Sequence, residues 1–163
     1  MGAYEALAAS YDRLTNDVDY EATVDFYYEI LKREGMQPRT AVDLACGTGS
    51  VSAILAERGL RVIGVDISEE MLTVAQQKAE ELENPPRFIC QSLQELTLSR
   101  AVDLAVCALD SLDYILNPDD CARAIRRVFR ALNPGDVFIF DVNTPRKLRA
   151  MDGQVFLDED EDV

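Results

Sequence analysis

The chain has 163 residues, 48% of them hydrophobic, enough to bury one core in a single domain. Its 30 acidic residues against 16 basic ones leave a formal charge of −14, which speaks against nucleic acid or an anionic membrane as partner. Histidine is absent altogether, which removes the usual general base, the usual zinc ligand and any Ser-His or Cys-His nucleophile, and with them hydrolysis by a triad.

Cys46, Cys90, Cys107 and Cys121 form no CxxC pair, and three of them sit in apolar runs. They read as reduced, mostly buried thiols of a cytoplasmic protein. No stretch is apolar for long enough to span a membrane, and the N-terminus lacks a signal-peptide core.

In chain order, "YEALAASYDRLTNDVDYEATVDFYYEILKREG" reads as two helical pieces, with Val24, Tyr27, Tyr28 and Leu31 at helical spacing and Gly35 and Pro38 as the stop. A regular alternation follows. "TAVDLA" is a strand, "SVSAILAERG" a helix, "RVIGVD" a strand and "SEEMLTVAQQKAEELEN" a helix. "RFICQ" is a short strand and "AVDLAVCAL" a longer one. "PDDCARAIRRVFRALNPG" is a helix with Asn117 as cap, Pro118 at its first position, Gly135 as stop and a buried stripe of Ile125, Val128, Phe129 and Leu132. "DVFIFDV" is the last clear strand, and "LDEDEDV" reads as a solvated acidic tail. Strands alternating with helices imply an α/β fold: a doubly wound, Rossmann-like parallel sheet of order 3-2-1-4-5.

In such a sheet a ligand sits at the carboxyl ends of the strands. The first strand ends in "CGTG", where Gly47 and Gly49 let the backbone turn sharply and a ligand approach it. The second ends in Asp66, whose carboxylate can accept two hydrogen bonds from a ribose diol. Together these point to an adenosine-like ligand. A nicotinamide dinucleotide calls for a third glycine, but Ser52 stands there. Asp43, four residues before Gly47, offers nothing to a pyrophosphate and suits a cofactor that carries a cationic amine and a sulfonium.

"VDLACGTG", "VIGVDISEEML" and "FDVNTP" together resemble the class I S-adenosylmethionine-dependent methyltransferases, in their large small-molecule group, over essentially the whole chain. The N-terminal "YEALAASYDRLTNDVDY" adds to the likeness, since similar enzymes carry a "YD" segment there that lids the cofactor. The resemblance implies a helical lid over 1–36 and a Rossmann-like cofactor-binding domain over 37–163. It implies that Asp43, Ala45, Gly47 and Gly49 line the methionine part of S-adenosylmethionine, and that Asp66 holds the ribose. Ile67 would pack on the adenine, Met71 close the same pocket, and Tyr11 face the methionine end from the lid. Ser92 stands where relatives often have an acid that reads the adenine amino group, which leaves that contact to the backbone around Leu93. Asp110 and Ser111 would sit at the mouth of the site.

Methyl transfer from a sulfonium needs alignment and exclusion of water, but no metal and no covalent intermediate, so a chain without histidine can serve it. The expected catalytic contributors are Asp110 and Tyr11, with Asp113 and Tyr114 as further proton acceptors. The expected acceptor is a small molecule that the sequence does not specify. Two alternatives stand beside this reading: an S-adenosylmethionine-binding module without turnover, and a nicotinamide oxidoreductase. Methyltransferases of this kind continue past the fifth strand into two more, so "VFIFDV" is expected to be an uncovered edge, the chain an N-terminal part of a longer protein, and self-association through that edge its consequence.

Overall fold

The computed structural model describes residues 11, 15 and 17–152. Its elements are α1 (Tyr20–Arg33), β1 (Thr40–Leu44), α2 (Ser50–Glu57), β2 (Arg61–Asp66), α3 (Glu69–Ala79) and β3 (Arg87–Cys90), followed by β4 (Val102–Cys107), α4 (Pro118–Ala131), β5 (Leu132–Phe140) and α5 (Pro145–Met151). Single 3-10 turns lie at Leu93–Glu95 and Ser111–Tyr114. The strands form one sheet in the order β3-β2-β1-β4-β5, and every pairing is parallel. The order and the doubly wound class are those expected from the alternation of elements.

Alternation along β1 explains the two-sided core. Ala41 faces α1 and α2, where it joins Val24, Tyr27 and Leu31 of α1 and Val51 and Leu55 of α2. Val42 and Leu44 face the other way, toward Ala124, Val128 and Ala131 of α4. Asp43 shares the Ala41 side, which directs it at α2. Val24, Tyr27 and Leu31 thus pack α1 into this core. The first helical piece expected before Tyr20 lies largely outside the described residues.

Side chains cap the starts of α1, α3 and α4, Asn117 as expected and Asp19 and Ser68 in addition. Asp19 accepts from the Ala22 amide at 2.8 Å, Ser68 from Met71 at 3.2 Å and Asn117 from Asp119 at 2.9 Å.

Several expectations shift. The buried stripe of α4 is Ala124, Val128 and Ala131, spaced i, i+4, i+7, and Phe129 is 73% exposed. The helix ends one residue before Leu132, which already pairs with Val102 as the first residue of β5. Gly135 is therefore no helix stop; it lies in an irregularity of β5, between the Leu132 pair and the Val137 pair, at φ +94°. The helix α3 stops at Ala79 rather than running on to Asn84. Of the four cysteines only Cys107 is buried, and Cys90 is exposed. Among the described residues no helix is long and apolar enough to cross a membrane.

Candidate functional site

The carboxyl ends of β1, β2, β3 and β4 surround a cavity of about 300 Å³, at the lower end of the range for small-molecule sites. The turn after β1 forms its floor. Here the chain reverses within a few residues, with Ala45 at φ +53°, Gly47 at +53° and Gly49 at +77°. Glycine takes this left-handed region without penalty, whereas Ala45 holds it under strain. The Gly49 amide closes the turn onto the Cys46 carbonyl at 2.9 Å, and the Cys46 amide reaches the Val65 carbonyl at 3.0 Å.

Asp66 ties this turn to β2. One carboxylate oxygen accepts from the Gly47 amide at 2.8 Å and the other from the Ser68 amide at 2.9 Å. A carboxylate has about four acceptor positions, so two remain for a ligand in the cavity that Asp66 lines. Beside it the walls are apolar: Ile67, Met71 and Leu93. Ile67 is 72% exposed, so its side chain stands at the open rim.

A smaller cavity of about 40 Å³ adjoins the first and shares Tyr11, Ala45, Gly47, Leu109 and Ser111 with it. Its distinctive wall residue is Asp43, 1% exposed, which accepts a 2.6 Å hydrogen bond from the Ser52 hydroxyl. Burial pushes the Asp43 carboxyl up to about 7; the Ser52 bond opposes this and the charge of Asp66 adds to it. The Tyr27 hydroxyl is buried without a partner among the described residues, and burial, reinforced by Asp43 and Asp141, holds that phenol protonated.

These groups fit an adenosine carrying a positively charged tail. A strand-end carboxylate with free lone pairs suits a diol, apolar flanks suit a flat base, and a bare glycine backbone beside a buried acid suits the tail. A methyl added at Gly47 would meet no atom of the described residues within 4 Å, so the turn is open to a ligand there.

The profile of the methyltransferase domain family matches residues 41–135, which hold the turn, Asp66 and the wall after β3. A putative methyltransferase of Bacillus subtilis, YqeM, is 36% identical over 98% of this chain and 64% of its own length. The chain belongs to the methyltransferase domain family. A putative methyltransferase of Geobacillus sp. is 33% identical over 98% of the chain and 66% of its length. The crystal structure of an S-adenosylmethionine-dependent methyltransferase from Clostridium acetobutylicum superposes with a TM-score of 0.84 at 35% identity, covering 99% of this chain and 66% of that one. The sugar N-methyltransferase KedS8 from Streptoalloteichus sp. aligns with a TM-score of 0.74 at 25% identity over 91% of the chain and 56% of its own. The chain thus spans slightly less than two thirds of the length of the first relatives it matches.

Within this methyltransferase domain the expected site residues separate into groups. Tyr11, Ala45, Gly47, Asp66, Ile67, Met71, Ser92 and Leu93 all line the larger cavity, and Asp43 lines the smaller. Gly49 lines neither. Its missing side chain faces the protein, where a Cβ would lie 3.0 Å from Ala75 and 3.1 Å from the Phe88 ring. Asp110 lines neither cavity as well. The left-handed turn at Leu109 and Asp110 sends its side chain to the Asn143 amide group, while its own amide donates to Asp141 at 2.7 Å. Asp113 accepts from the backbone N–H of Asn143 at 2.8 Å. These acids join the end of β4 to the segment after β5.

Three features escaped the sequence. Ser52 is more than a failed third glycine, because it is the hydrogen-bond donor to Asp43. Phe88 fills the space under the turn, and a Cβ at Gly64 would lie 2.5 Å from its ring. A glycine in the middle of a strand signals such close approach, so Gly64 carried that information. Gln94 on the cavity wall had no signal at all.

Proposed function

We propose that the chain binds S-adenosylmethionine in the larger cavity and forms the cofactor-holding part of a methyltransferase whose acceptor is a small molecule. The observation that carries this reading is Asp66, which holds the glycine turn by one oxygen and the start of α3 by the other, and still faces the cavity. When bound, the cofactor supplies a methyl group on a sulfonium, which leaves by in-line displacement.

The chain's own residues do the holding and aligning. Asp66 accepts from the ribose hydroxyls, Ile67, Met71 and Leu93 flank the base, and Gly47 offers bare backbone to the methionine part. Asp43 lies behind the turn, where a cationic tail draws its raised carboxyl toward the ionised form. Tyr11 borders both cavities and closes them from the N-terminal segment, where it excludes water. Its phenol is raised above the usual value, first by burial, and so serves as a lid and a donor rather than a base. Asp110 is a positioning residue that fixes the turn after β4. The sugar N-methyltransferase likeness favours a small polar acceptor.

Calorimetry tests the reading: S-adenosylhomocysteine binds the chain and NAD binds at least tenfold more weakly. Comparable affinity for NAD overturns it.

A further inference from the structure

The wall after β3 contains three polar side chains: Gln91, Ser92 and Gln94. Two are occupied. Gln91 uses both ends of its amide on Thr97, accepting from its N–H at 3.1 Å and donating to its carbonyl at 3.4 Å. Ser92 turns its hydroxyl to Glu95 at 3.4 Å. Gln94, on the same wall beside Leu93, makes no hydrogen bond among the described residues. The other polar groups bordering the base end are also engaged: Ser68 caps α3 and donates to Glu70, and Asp66 holds the turn.

We propose that the Gln94 carboxamide reads the 6-position of the purine, and that this makes the site tolerant of a 6-oxo purine as well as adenine. The proposal rests on the reading of the cavity as an adenosine site. A carboxamide is the side chain that pairs with an adenine edge, because it accepts from the 6-amino group and donates to a ring nitrogen. It carries donor and acceptor on one rotatable plane. Turned over, it donates to a 6-oxo group instead. An acid in this place offers only acceptors, accepts from the 6-amino group and repels a 6-oxo oxygen. Discrimination of this kind arises when a site's polar group is left unpaired by the wrong ligand.

The test is calorimetry with S-adenosylhomocysteine and its deaminated analogue S-inosylhomocysteine, on the chain and on Gln94→Leu and Gln94→Glu. The wild type is expected to bind both ligands within about tenfold of each other. Gln94→Leu loses about tenfold or more in affinity for each, the equivalent of one hydrogen bond to a polar ligand. Gln94→Glu keeps S-adenosylhomocysteine and loses S-inosylhomocysteine by a further tenfold or more. Wild-type binding of S-adenosylhomocysteine that neither variant changes overturns the role of Gln94 and leaves the adenosine site standing. No binding of S-adenosylhomocysteine by the wild type overturns both. Wild-type rejection of the deaminated analogue by a hundredfold overturns the tolerance.

Discussion

At the scale of single residues, two carboxylates do opposite things. Asp43 titrates at about 7 in the fold against 3.8 when free, so the native state keeps a proton that the unfolded chain has lost. Its contribution to stability therefore falls as pH rises from about 4 to about 7, by roughly 4 kcal/mol, and is flat above. Tyr27, Cys46 and Cys107 face the same carboxyl, and burial holds all three in their neutral forms. Asp43→Asn keeps an acceptor for Ser52 and removes the titration. In urea unfolding it should gain steadily on the wild type between about pH 4 and about pH 8, and a constant difference would show that Asp43 ionises normally. Asp66 serves both turn and ligand. Asp66→Ala leaves the Gly47 and Ser68 amides without their acceptor, which costs about 1–3 kcal/mol in denaturant unfolding. The same variant should lose about 10- to 1,000-fold in affinity for S-adenosylhomocysteine. Unchanged affinity would place the ribose elsewhere. Its place at the end of β2 already gave this acid a ligand, and only the folded turn shows that it is also a structural anchor.

At the scale of elements, the turn between β1 and α2 depends on two glycines for different reasons. Gly49→Ala puts a methyl 3.0 Å from Ala75 and 3.1 Å from Phe88 at φ +77°. Gly47→Ala meets nothing and carries only the left-handed backbone penalty, about 1–2 kcal/mol. Thermal unfolding should therefore show Gly49→Ala to be the more destabilised, while Gly47→Ala should lose more of its ligand affinity relative to its loss of stability. The reverse order would mean that the helix and the Phe88 ring yield easily. The strands were legible because their apolar runs and the intervening helices have different periods, whereas their order was legible only through the Rossmann-like class. Three things were less legible. The stripe of α4 was placed one residue late, since Phe129 is large and apolar yet exposed. The end of α4 was set by sheet pairing of Leu132, a tertiary contact that local sequence does not carry. Asp110 pointed at the site by its place after β4, but the left-handed turn at Leu109 and Asp110 aims it at Asn143.

At the scale of the whole molecule, the sheet is asymmetric. Its β3 side carries a short strand of four residues, whereas β5 is nine residues long and, among the described residues, has a strand neighbour on one side. Phe140 is 46% exposed on β5, and Phe129 stands out from α4. The apolar part of the β5 edge is Val137–Phe140, since Asn133, Pro134, Gly135 and Asp136 fall in the irregularity before it; an apolar edge of this kind is a template for pairing with a second chain. The 163-residue chain should show a concentration-dependent mass above that of a monomer in light scattering. Phe140→Lys should lower that mass, and a monomer at every concentration would contradict this reading of the edge.

The central claim is that an adenosine cofactor lies across the carboxyl ends of β1, β2 and β3, held by Asp66. A crystal structure with S-adenosylhomocysteine tests it most directly. The account places the ribose hydroxyls on the Asp66 carboxylate, the base among Ile67, Leu93 and Gln94, and the amino acid tail over Gly47 toward Asp43. A ligand bound outside this cavity, or one whose ribose makes no contact with Asp66, would contradict it.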